Sequence, residues 1–148
     1  VTEEDLRKKV EDSAKVSDEA HVDFSKETAT FPFRWTSPRG EVFEGTFTNR
    51  ILTLGELSRA ATTVAQLNGG LPYEAMPPIH RDLNDRLGHL MVSLDIEERP
   101  EWGRNLLGIR HPDIIYALYR VVETHEATFR GQLAPEKGGS SDGNSPGA

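Results

Sequence analysis

The side chains best placed for chemistry in this chain are Asp82, Asp85 and His89, in the run Asp-x-x-Asp-x-x-x-His. At about 100° per residue along a helix the three share one side, and two carboxylates with an imidazole could hold a divalent cation. A second element would have to complete the coordination. The same spacing also describes the solvated face of a helix whose other side carries Ile79, Leu83, Leu87, Leu90 and Leu94, with Arg81 and Arg86 beside the acids. We adopt that second reading and expect no metal and no cofactor. His125-Glu126 supplies the first two residues of a zinc-protease helix, but the position four after His125, where a second histidine is required, is Phe129. His125 then reads as a helix-face residue, and Glu126 as an i,i+4 partner for Arg130. His80 and His89 fall on opposite faces of one helix. His21 and His111 lie in expected loops without evident partners.

Nucleophilic chemistry has no better footing. Ser37, Ser58 and Ser93 lack the G-x-S-x-G elbow that lifts a serine out of its strand. Neither G-x-G-x-x-G nor a P-loop is present, and Gly69-Gly70 follows a helix pattern, where a C-cap accounts for it. Glu97-Glu98 are adjacent and expected to be exposed, so nothing would separate their proton affinities for acid–base work. We expect no enzyme. Aromatics are the remaining signal: Trp35, Phe43, Phe47, Trp102 and Phe129 serve a small domain best as core. Tyr116 and Tyr119, with Arg120 beside them, are the candidates for a partner-binding surface, because aromatics and arginine are enriched where binding energy concentrates.

Composition narrows the partner. The formal net charge is −7, the opposite of what a phosphate backbone attracts, so no nucleic acid is expected. No run of about 18 apolar residues offers a membrane span, and the charged start VTEEDLRKKVEDS has no secretion-signal core. With 0 cysteines there is no disulfide or thiolate site, and the cytoplasm is the expected compartment. All the basic residues between positions 31 and 130 are arginine, a side chain suited to bidentate contacts and to stacking.

The elements that must position these residues can be read in order. Residues 1–30 have few apolar anchors and read as a charged, weakly ordered arm, with Thr2 able to cap a short helix over Glu3–Ala14. Phe31, Phe33 and Trp35, then Phe43, Phe47 and Ile51, alternate on either side of Ser37-Pro38-Arg39-Gly40, which predicts a β-hairpin with Pro32 at an edge. Thr53 and Glu56 have capping-box spacing ahead of a helix with Leu57, Ala61, Val64 and Leu67 as its apolar stripe. Pro77-Pro78 open a second helix and Arg99-Pro100 end it. Pro112-Asp113 open a third, striped by Ile115, Leu118, Val122 and Phe129, which Gly131 terminates. The expected fold class is α+β: an N-terminal hairpin followed by a three-helix bundle over residues 31–131, with flexible ends. Residues 132–148 read as a disordered Gly/Ser/Pro-rich tail.

In that order, "FRWTSPRGEVFEGTFTNRILTLGE", "LNGGLP", "LMVSLDIEERPEWG" and "LYRVVETHEATFRG" resemble the tail assembly chaperones encoded in tailed-bacteriophage tail modules. The resemblance covers about residues 31–131. It implies a non-enzymatic helper in the host cytoplasm that binds the tape-measure protein, or other phage tail proteins, during tail assembly. It also implies that the C-terminal tail is where a ribosomal frameshift, near Lys137-Gly138-Gly139, could lead to a longer form. The alternative it leaves open is a structural virion protein of the tail or head–tail connector.

Overall fold

The structure, a computed structural model, describes residues 2–5 and 22–132. The fold is α+β. An antiparallel hairpin of β1 (Thr28–Thr36) and β2 (Val42–Arg50) is followed by α1 (Leu54–Leu67), α2 (Pro78–Ser93) and α3 (Pro112–Phe129). A further helical stretch at residues 3–5, in the expected arm helix, makes four α-helices among the described residues beside the three expected for the bundle. Thr2 caps it as the sequence suggested, its hydroxyl accepting from the Asp5 amide at 3.0 Å. The rest of the expected arm helix, His21 and the tail beyond Gln132 lie outside the described residues.

Local chemistry accounts for the hairpin. Gly40, at φ 93°, takes the left-handed position of the loop, and its amide donates to Ser37 O at 2.9 Å. Ser37, buried in the turn, accepts from the amides of Arg39 and Glu41 through its hydroxyl. The register pairs Phe31 with Phe47, Phe33 with Gly45 and Trp35 with Phe43, so the aromatics share one face. Bonds from Ile51 N to Glu27 O and from Ser37 N to Glu41 O bracket the ladder. Counting the alternation between them puts Pro32 and Thr46 in a non-hydrogen-bonded pair, where the missing proline N–H breaks no bond to β2.

The inward face of β2 is not apolar throughout. Continuing the alternation along the strand, the inward position after Phe47 is Asn49, fully buried, where a further apolar residue would be the ordinary choice. Ile51 lies beyond the strand end and is only partly buried.

The aromatic face of the hairpin packs on Leu87 and Leu90 of α2, on Leu94 just past its end, and on Ile114, Ile115, Leu118 and Val122 of α3. The connector between α2 and α3 closes the remaining side. Trp102 folds back onto Phe33, Phe43 and Phe47 and donates from its indole to Glu44 O at 3.0 Å. Gly45 admits this close approach, since a Cβ there would lie 2.7 Å from Pro100 Cβ. Arg99, buried, donates to Leu94 O and Arg104 O at 2.9 Å each, so a guanidinium neutralises carbonyls at the end of α2 and ties them to the connector. Burial pulls its proton affinity below the usual arginine value, and Asp95 opposes that shift.

Helix α1 seats against α2, and its expected stripe is corrected. The Thr53–Glu56 capping box forms as predicted, but the faces are rotated. Ala60 is buried, with Val64 and Leu67 partly so, whereas Leu57 and Ala61 are exposed. The reason is Gly88 on α2: it has no side chain, and Val64 and the Ala60 carbonyl occupy the space where one would stand. The ends of the other stripes also move outward. Ile79 is 69% exposed and Phe129 37% exposed, because neither the hairpin nor the connector reaches them.

Candidate interaction surface

The three residues that could have formed a cation site are drawn apart by other partners. Asp82 pairs with Arg86 one turn on, and Asp85 accepts from the Tyr73 hydroxyl at 3.3 Å. His89 turns to α3, its Nε2 lying 2.5 Å from Glu126 Oε2. Among the described residues no group of three or more His, Asp or Glu side chains is gathered as metal ligands would be.

Those diversions build a polar and aromatic seam along α2 and α3. The Arg86 guanidinium lies over two rings of α3, 5.0 Å from the Tyr116 centroid and 5.2 Å from that of Tyr119. Asp82 holds it there. The next contact along both helices is His89, edge-on to Tyr119 at 5.6 Å and bonded to Glu126, which also lies 3.9 Å from Arg130. Burial pushes the Tyr119 phenol above its ordinary pKa; Glu126 and Glu123 push the same way, and Arg86 opposes them. Tyr116 and Tyr119 are partly buried and Arg120 is exposed, so the three expected binding residues do share the surface of α3. The residue that organises the two tyrosines is one that sequence spacing alone assigns to a solvated face, Arg86. Its separation of four residues from Asp82 is the signal that could have found it.

Two histidines depart from expectation. His125 is a fully buried core residue and not a helix-face residue. Its Nε2 lies 2.7 Å from Lys26 O, and because a carbonyl only accepts, that nitrogen carries the hydrogen. Nδ1 then accepts from Asn49 Nδ2 at 2.8 Å. The imidazole thus joins α3 to β2 and to the segment before β1, with Phe24 against its ring at 5.5 Å. His111 is not without partners either. It stands between Trp35 at 5.1 Å and Phe43 at 5.4 Å, with Glu41 Oε1 3.7 Å from its Nε2, and joins the hairpin tip to the start of α3.

A second exposed surface lies at the turn between α1 and α2. Tyr73 is laid along α2 by Arg81, whose guanidinium is 4.7 Å from the ring centroid, and by Asp85 at its hydroxyl. Tyr73, Pro78, Ile79, Arg81 and Asp82 line an open hollow of about 450 Å³ there. No helix among the described residues is long and apolar enough to cross a membrane. Comparison with protein-family models, with curated proteins and with solved structures gave no match.

Proposed function

We propose that the chain is a non-enzymatic assembly helper of the tail-assembly-chaperone kind, binding a helix-rich client such as a tape-measure protein through the α2–α3 surface. The observation that carries this reading is the pair Tyr116 and Tyr119 beneath Arg86, with Arg120 exposed beside them. Rings held by packing and by a stacked guanidinium have little rotamer freedom left to lose, and they offer apolar area with polar edges. A helical client satisfies its own backbone, so it must be recognised by side chains, and two helices side by side accept an amphipathic helix between their ridges. The resemblance over residues 31–131 supplies the client's identity.

The test is co-expression with the tape-measure protein of the same tail module. Soluble co-purification is expected, and the triple change Tyr116→Ala, Tyr119→Ala, Arg120→Ala should abolish it while leaving the circular dichroism spectrum intact. Undiminished capture by a folded triple variant would remove the surface from the proposal. Quantitative mass spectrometry of lysate and of purified particles decides between a helper, abundant only in lysate, and a structural virion protein, retained at fixed copy number.

A further inference from the structure

We infer that Pro32 keeps a second copy of this chain from pairing along the outer edge of β1, an edge otherwise suited to accept a strand. The edge belongs to the hairpin and not to the α2–α3 surface, so the assembly-helper reading is not involved. The rest of the fold treats the two edges of the hairpin differently. That of β2 is closed: Asn49 bridges to Leu94, Asp95 N donates to Thr48 O at 2.9 Å, and the Trp102 indole donates to Glu44 O. Along β1, Thr28, Thr30, Pro32, Arg34 and Thr36 occupy the non-hydrogen-bonded pairs with β2, so their backbone groups point the other way. Among the described residues no hydrogen bond reaches those groups.

An open edge is ordinarily blunted by a short strand, a bulge, lysines or a proline. Strand β1 runs for 9 residues, longer than most strands, and its register with β2 is unbroken. It holds no lysine, and its single charge, Arg34, lies 3.9 Å from Glu44 across the hairpin. Its other residues besides Pro32 are threonine, alanine and aromatics, a composition that favours strand addition where proline is absent. Pro32 stands mid-strand with its nitrogen on the open edge. A second copy fits this edge because an antiparallel strand laid on its own image is self-complementary: Thr28 falls opposite Thr36 of the second copy, and Arg34 opposite its Thr30. No like charges meet in that register. Pro32, however, faces itself there, so both central N–H donors are missing and two pyrrolidine rings stand where hydrogens should. Sliding one copy along the other still sets Pro32 against a carbonyl, until the overlap shrinks to one end of the strand and few bonds remain.

The experiment makes Pro32→Thr in the full chain, follows self-association by sedimentation over a range of concentrations, and locates the contact by amide hydrogen exchange. Pro32 gives β2 no hydrogen bond that the change could break, so the variant should fold as the parent does. Regaining both central hydrogen bonds of a symmetric pair should tighten self-association roughly tenfold or more, with exchange newly slowed at the amides of Thr30, Arg34 and Thr36. Shifting the proline along the same edge, by Pro32→Thr together with Arg34→Pro, should return the chain to the parent's behaviour. In the unaltered chain the outward amides of Thr30 and Arg34 should exchange faster than those of Phe31 and Phe33, which bond to β2. That comparison needs no variant to fold. Self-association of Pro32→Thr no tighter than the parent's, slowed exchange only on other surfaces, a gain that survives Arg34→Pro, or outward amides already protected in the parent would each overturn the inference.

Discussion

Gly88→Ala tests whether α1 is seated where the packing places it. A Cβ on residue 88 would stand 2.3 Å from Val64 Cγ2, 3.1 Å from Val64 N and 3.3 Å from Ala60 O. The first separation lies far inside the roughly 3.5–4.0 Å at which carbon atoms attract. Val64 cannot readily swing away, because a β-branched side chain in a helix is held near one χ1 rotamer. Removing a glycine from a helix interior would alone stabilise by about 0.8–1.0 kcal/mol, whereas overpacking costs about 1–3 kcal/mol. The steric cost wins, leaving a net loss of about 1 kcal/mol and at most about 2. Val64→Ala removes the offending methyl, so the double variant should be more stable than the sum of the single changes by about 1 kcal/mol, within the range found for contacting pairs. Urea unfolding of the four proteins measures this directly. A Gly88→Ala chain at least as stable as the parent, with an additive double variant, would refute the seating of α1. It would also unsettle the α1–α2 turn that holds Tyr73.

Two further outcomes rest on the buried polar groups. His125→Phe replaces the ring with a somewhat larger one and strands the buried Asn49 amide, whereas the carbonyl of exposed Lys26 can turn to water; at about 1–3 kcal/mol for the one stranded buried group, that much unfolding free energy should disappear, and an unchanged urea midpoint would mean the bond to Asn49 anchors nothing. Tyr119 has its folded-state pKa raised, by burial first and by Glu126 and Glu123 next, so its contribution is fully present below the unfolded tyrosine value of about 10 and is lost as pH rises above that through the higher folded value. Spectrophotometric titration should show one of the chain's tyrosines ionising late, and Arg86→Gln should delay it further, since Arg86 opposes the shift; an earlier ionisation in that variant would contradict the stacked geometry.

How much of the fold was legible in the sequence depends on the range of the forces involved. The hairpin, the capping box of α1 and the glycines that end α1 and α3 are local events, settled by φ preferences and by side-chain bonds spanning three or four residues. Ser37, Gly40, Thr53 and Glu56 announce them without reference to the rest of the chain. The apolar periodicity of α2 and α3 likewise named Leu87, Leu90, Leu118 and Val122 as core, because a helix must turn its apolar stripe to something. Tyr116 and Tyr119 could be placed at a surface, but Arg86 above them could not, since a cation over a ring on another helix leaves no period in the sequence.

Only the tertiary structure decided which stripes find a neighbour. Helix α1 contains two overlapping apolar sets, and the flat spot at Gly88 selected Ala60 and Val64 over Leu57 and Ala61. Asn49 and His125 are polar residues on an inward strand face and an inward helix face. They are stable there because they meet each other across 76 residues of sequence. Burying a polar side chain is costly unless partners already wait, and where those partners stand is set by the folded chain as a whole; Asn49 finds one for its Nδ2 in His125, while its Oδ1 has none among the described residues. The sequence by itself determined which elements form and roughly where they begin and end; the assembled fold determined which of their faces are inside, because burial is a property of the neighbours and not of the residue.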